Sequence, residues 1–193
     1  KRSESEYDAF ETGHASTAIS AALGLARARD MLHQDHQVIA LVGDGALTGG
    51  LAYEGLNNAG ASGEPFIVIL NDNGMSIDPN VGAMPSHLAQ LRSKPAYYHF
   101  KKWYRGLFGA QPQKNALYRF NHRLKTTLKR NLFPRSTLFE DMGFTYLGPI
   151  DGHDLQRLCD VLQWAKEQQR PVVVHVKTEK GKGYIPSEKE PGK

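Results

Sequence analysis

Val38-Ile39-Ala40-Leu41-Val42-Gly43-Asp44-Gly45 decides how the chain is read. Five apolar residues in a row, closed by a glycine, read as a strand buried on both faces, because a strand with one wet face would alternate. Three more runs of this kind follow: Phe66 to Leu70, Phe144 to Leu147 and Val172 to Val176. Helical patterns lie between them. Ser16 to Asp30 is rich in alanine and leucine, with Ser16 and Thr17 placed to cap it. Gly49 to Ala59 follows the first strand. Asp154 to Gln168 puts Leu155, Leu158, Leu162 and Ala165 on one face, and Pro171 then introduces the last strand. Strands alternating with helices require right-handed crossovers. The expected fold is therefore α/β, a mostly parallel sheet with helices on both faces.

The 193 residues suit one domain, and 40% of them are apolar, enough for a real core and against wholesale disorder. No run of 18 apolar residues occurs, so no membrane span is expected. The chain opens at Lys1 without an initiator Met or a signal-peptide core, so a preceding segment is expected. One cysteine, Cys159, excludes an intramolecular disulfide and suits a reducing cytosol. It falls on the apolar face of the last long helical pattern and is read as a small buried hydrophobe rather than a nucleophile.

The net charge of +4 is unevenly spread. Between Pro79 and Phe139 there is no Asp or Glu, yet there are twelve Lys and Arg, among them Lys101, Lys102 and Arg105. Tyr97, Tyr98, Trp103 and Tyr104 are interleaved with them. Such a stretch can bind nucleic acid by phosphate contacts and stacking. No nucleic-acid motif accompanies it, which favours a solvated basic face with an aromatic underside; attraction of phosphorylated substrates is a third reading. Pro95, Pro112 and Pro134 break it up, so residues 85–137 are expected to form a helical and irregular insertion between the second and third strands.

In open parallel sheets ligands bind beyond the carboxyl ends of the strands. The polar clusters of this sequence lie at those ends. Gly43-Asp44-Gly45-Ala46 follows the first strand, Asn71-Asp72-Asn73-Gly74-Met75 the second, and Lys180-Gly181-Lys182-Gly183-Tyr184 the last; Gly13-His14-Ala15-Ser16-Thr17 precedes the first helix. A Gly-Asp-Gly by itself often makes only a turn. Its pairing with Asn73, with 27 residues between Gly45 and Asn73, says more. A hard cation such as Mg2+ takes an octahedron of oxygens. Asp44 offers a carboxylate, Asn73 an amide and Met75 a backbone carbonyl, with Gly74 permitting the turn between them. One protein charge leaves room for an anionic partner, and a diphosphate fits. Gly45 and Ala46 can turn backbone N–H groups toward phosphate oxygens.

These segments resemble the 1-deoxy-D-xylulose-5-phosphate synthase family of thiamine diphosphate enzymes. Ser3-Glu4-Ser5-Glu6-Tyr7-Asp8 and Gly148-Pro149-Ile150-Asp151-Gly152-His153-Asp154 belong to the same pattern, and the likeness covers nearly the whole chain, weakest from about Lys94 to Pro134. One departure is Gly74, where many relatives carry Glu. Transketolases share the Gly-Asp-Gly and Asp-Gly-His-Asp pieces and are the alternative. The resemblance implies decarboxylation of pyruvate and transfer of the two-carbon unit to D-glyceraldehyde 3-phosphate. It implies thiamine diphosphate and Mg2+ as cofactors, a homodimer, and a bacterial cytoplasm or a plant plastid stroma. It casts Asp44, Asn73 and the Met75 carbonyl as Mg2+ ligands and Gly45 and Ala46 as the diphosphate cradle. Gly13, His14 and Ala15 line the cofactor, His14 being the candidate catalytic contact within the chain, and Tyr184 packs near it. Without the resemblance His14 could simply cap a helix, Tyr184 pack a strand end and His153 cap the helix after it, while His87, in the loop after Asn73, could reach substrate or lie on the surface. The chain is expected to be the diphosphate-side domain alone. The pyrimidine-side and C-terminal domains would lie elsewhere, so the 193 residues are expected to bind the cofactor weakly and not to turn over.

Overall fold

The computed structural model describes residues 3–74, 83–92 and 137–189. In chain order the elements are α1 (Ala18–Met31), β1 (Ile39–Gly43), a 3-10 turn (Ala46–Thr48), α2 (Gly50–Ser62), β2 (Ile67–Asp72), α3 (Ala83–Arg92), α4 (Leu138–Asp141), β3 (Thr145–Asp151), α5 (Leu155–Lys166), β4 (Val172–Lys177) and α6 (Ile185–Lys189). All four apolar runs became strands of one parallel sheet, ordered β1-β2-β4-β3. The expected α/β architecture is present. Of the basic stretch 85–137, α3 and the cap of α4 are described; residues 93–136 lie outside the described residues, and with them the reading of their charge.

Helices cover both faces. Ala40, Val42, Val68, Leu70, Tyr146 and Val173 face one side of the sheet, against Ile19 and Leu23 of α1, Leu56 of α2, Leu88 of α3 and Phe139 of α4. On the other side Ile67, Leu147, Val172 and Val174 pack under α5, through Ala165 and the partly buried Leu158, Val161 and Leu162. The central strands β2 and β4 are thus enclosed, as their unbroken apolar runs require. Strand β1 behaves otherwise. Ile39 and Leu41 are 49% and 68% exposed, so β1 alternates between covered and bare positions. An edge strand with apolar residues on both faces looks, as a string of letters, like a central one.

Local capping departs from expectation in a useful way. Thr17 occupies the N-cap of α1 without a side-chain bond to the helix N–H groups. Ser16, with φ +70°, instead sends its hydroxyl 2.7 Å to the Ala46 carbonyl. Helix α5 is capped by Asp154, which accepts from Arg157 N–H, so His153 is not its cap. Cys159 is exposed, which overturns its reading as a buried hydrophobe. The buried stripe of α5 runs through 158, 161, 162 and 165, and position 159 is turned about 100° from it. Leu155 lies one turn before the covered surface and is 70% exposed. Among the described residues no helix is long and apolar enough to cross a membrane.

Two glycines seal the first half of the sheet to the second. A Cβ on Gly60 of α2 would overlap the Met142 carbonyl oxygen, and one on Gly143 would come within 2.8 Å of the Gly60 oxygen. Gly143 also has φ +98°, a conformation other residues rarely adopt. Gly60→Ala should therefore destabilise the protein by about 1–3 kcal/mol through forced backbone separation. Gly24→Ala, at an exposed position of α1 where an added Cβ meets nothing, should stabilise it by about 0.5–1 kcal/mol. Denaturant unfolding of the two variants beside wild type checks both signs.

Candidate metal centre

Parallel register brings three strand ends level. Gly43 pairs with Asn71, and Asn71 with Val176, so the residues after each strand emerge along one edge. Main-chain bonds extend the ladder past the strands, with Asp44 N–H on the Asn71 carbonyl at 3.1 Å and Thr178 N–H on the Asp72 carbonyl at 3.1 Å. The Thr178 hydroxyl donates to Asn71 Oδ1 at 2.7 Å. Asp44 and Asn73 therefore leave the sheet side by side.

Asp44 joins the two loops directly. Its Oδ1 accepts from Gly45 N–H and its Oδ2 from Gly74 N–H, both at 3.0 Å. Gly74, with φ +71°, makes the tight turn directly after Asn73. The carboxylate is buried, with 5% of the residue exposed. Burial, and next the negative charge of Asp72, push its pKa above the ordinary carboxylate value, although the two N–H donors pull it down. A divalent cation would offset the repulsion between the two carboxylates and the cost of burying the charge. A carboxylate has about four lone-pair sites, of which the two N–H groups take two. The donor chemistry thus fits a hard cation held partly by oxygens from elsewhere. Among the described residues no three His, Cys, Asp or Glu are grouped to hold a metal by themselves.

The remaining expected site residues are distributed as follows. Gly13, His14 and Ala15 are exposed on the loop before α1. Ser16 ties that loop to the Gly45–Ala46 turn, and Gly49 makes room for it, since a Cβ there would overlap Ser16 Oγ. His14 accepts at its carbonyl from the Thr17 hydroxyl and donates its N–H to Thr12 Oγ1. Gly45 begins the 3-10 turn with its own N–H on Asp44. Tyr184 is 63% exposed, with local main-chain bonds to Gly181 and Glu188. Met75 lies outside the described residues. His87 sits on α3 rather than in a loop, its Nε2 3.5 Å from Leu138 N–H. His153 accepts at Nε2 from Glu179 N–H at 2.9 Å, pinning the loop after β3 to the loop after β4.

Sequence reasoning gave no role to Asp72, His175 or Tyr146 and read Ser16 only as a cap, yet all four shape this edge. The signal was present for one of them: a histidine among four valines, Val172 to Val176, must find partners if buried. Asp44 titrates higher in the folded than in the unfolded protein. Between those two values the folded state holds more protons, and stability falls as pH rises. The metal-free wild type should therefore lose melting temperature relative to Asp44→Asn as pH is raised from about 4 toward 7. A difference that stays flat across that range contradicts the electrostatic account.

A family model described as 1-deoxy-D-xylulose-5-phosphate synthase matches residues 1–178. The protein of that name from Pelotomaculum thermopropionicum is 52% identical over 189 residues, covering 98% of this chain and 30% of its own length. That from Natranaerobius thermophilus is 50% identical over 194 residues, covering 100% of this chain and 31% of its own length. This chain thus spans about three-tenths of the length of those relatives. Among solved structures, transketolase from Campylobacter jejuni superposes with a TM-score of 0.51 at 24% identity, over 88% of this chain and 20% of its own. Transketolase from Leishmania mexicana gives 0.53 at 23% identity, over 86% and 20%. At those identities the likeness is one of fold, and it is the fold built above. The chain belongs to the 1-deoxy-D-xylulose-5-phosphate synthase family.

Proposed function

We propose that this chain is the Mg2+- and diphosphate-binding part of an enzyme that decarboxylates pyruvate and transfers the two-carbon unit to D-glyceraldehyde 3-phosphate, giving 1-deoxy-D-xylulose 5-phosphate. The observation that carries the proposal is the Asp44 carboxylate, buried at the end of β1 and bonded to the Gly74 turn that follows Asn73. The family supplies the reaction, and the fold supplies the edge on which it would run. The pyrimidine-side and C-terminal domains, the homodimer and a cytosolic setting belong to the same proposal for the full-length protein.

Thiamine diphosphate, when bound, supplies the electron sink that decarboxylation requires. The work of this chain is to hold and orient it. The Asp44 carboxylate, the Asn73 amide oxygen and the Met75 carbonyl would hold Mg2+, with diphosphate oxygens completing the set. The Gly45–Ala46 backbone heads the turn nearest the cation and would face the diphosphate. The Ser16–Ala46 bond sets Gly13, His14 and Ala15 next to that turn, where His14 would touch the cofactor. Tyr184, on the loop after β4, would close over it. A transketolase-type reaction is the second reading, favoured by the fold of the solved neighbours.

In the full-length protein, Asp44→Ala and Asn73→Ala should each weaken Mg2+-dependent thiamine diphosphate binding by more than the roughly 10–100-fold typical of changes behind a ligand shell. Calorimetric titration measures this. Turnover of pyruvate with D-glyceraldehyde 3-phosphate, set against turnover of a ketose phosphate donor, separates the two reactions. Undiminished binding by either variant overturns the proposed ligand set.

A further inference from the structure

Behind the Asn73 turn runs a buried polar chain that the account above leaves without a task. Asp72 is 1% exposed and His175 is fully buried. His175 Nε2 lies 2.8 Å from Asp72 Oδ2, and its Nδ1 lies 2.7 Å from the Tyr146 hydroxyl. With Oδ2 accepting from Nε2–H, Nδ1 of that tautomer accepts from the Tyr146 hydroxyl. The three residues come from β2, β4 and β3, and run from the interior of the sheet, where Tyr146 pairs with Val173, to its edge at Asp72. Polar groups this deep are costly unless every one is satisfied, and an apolar residue at 175 would suit the valines around it better.

The Asp72 end of this series shows what the arrangement does. Asp72 Oδ1 accepts from Gly74 N–H at 3.2 Å, the same N–H that Asp44 Oδ2 holds at 3.0 Å. Two carboxylates from neighbouring strands thus share one peptide, and that peptide directly follows Asn73. We propose that Tyr146, His175 and Asp72 are positioning residues for the cation site. They fix the Asp72 carboxylate, which with Asp44 fixes the turn, and so sets how Asn73 stands to Asp44. The inference rests on the reading of Asp44 and Asn73 as cation ligands.

The same relay gives a task to Gly148-Pro149-Ile150-Asp151-Gly152. A Cβ on Gly148, where φ is +133°, would come within 2.5 Å of the His175 carbonyl oxygen and 2.9 Å of His175 Cβ. A Cβ on Gly152 would press on Val176 and Thr178 at 2.5 and 2.7 Å. The motif lets the end of β3 lie against the stretch of β4 that carries His175 and leads to Thr178, the partner of Asn71. It acts on the site from two strands away, as a support for the histidine.

The test uses the full-length protein with saturating thiamine diphosphate, and Mn2+ in place of Mg2+, bound and free ion being counted by electron paramagnetic resonance. His175→Leu should weaken Mn2+ binding about 10–100-fold, as loss of an outer-shell partner does. Tyr146→Phe, the milder change, should weaken it several-fold. His175→Gln sets an amide N–H near the position of Nε2 and should recover most of the loss. The KM for pyruvate at saturating cation should stay unchanged in all three, which a general loosening of the fold would not produce. Wild-type Mn2+ affinity in both His175→Leu and Tyr146→Phe, or a His175→Gln as weak as His175→Leu, overturns the relay. If Asp44→Ala also binds Mn2+ like wild type, the cation reading falls and the relay falls with it. A loss in Asp44→Ala without one in His175→Leu and Tyr146→Phe removes the relay alone.

Discussion

The structure turns on one buried carboxylate held open for a partner. Asp44 sits where a strand ends, out of water, with two backbone N–H groups on it and a second carboxylate close behind. Few residues are less at ease without an opposite charge. Everything near it limits how it can respond. The parallel ladder fixes its main chain, and the N–H groups of Gly45 and Gly74 fix its oxygens. A side chain so constrained would need little rearrangement to take the cation proposed for it.

Much of this was legible in the letters, for physical reasons that can be named. Buried parallel strands demand unbroken apolar runs, and the four runs became four strands within a residue or two, β3 continuing four residues past its run through Ile150 and Asp151. Ligands gather at the carboxyl edge of such a sheet, so a Gly-Asp-Gly after one strand and an Asn cluster after the next were bound to emerge together. Asp44 and Asn73 needed no long-range knowledge beyond the parallel topology.

What escaped the sequence depends on contacts across the chain. His175 and Asp72 are 103 positions apart, and Tyr146 and His175 are 29 apart. No local pattern encodes those pairs. The bare outer face of β1 escaped because apolar residues stand at both its inward and outward positions, which hides the strand's place at the edge. Cys159 was misplaced by a single helical step, an error that a short amphipathic stripe readily allows. Ser16 was read as a cap because serine before a helix usually is one, yet its hydroxyl reaches thirty residues along the chain to Ala46.

The contact between Gly60 and the Met142–Gly143 backbone has a consequence for divergence within the family. It lies on either side of the long basic connection and clamps main chain to main chain, with the Phe144 ring edge beside it. Where two side chains meet, a change in one can be offset by a change in the other, and such pairs drift together. Here there is nothing to exchange. The two glycines therefore have little route to any other residue, whatever the segment between them carries.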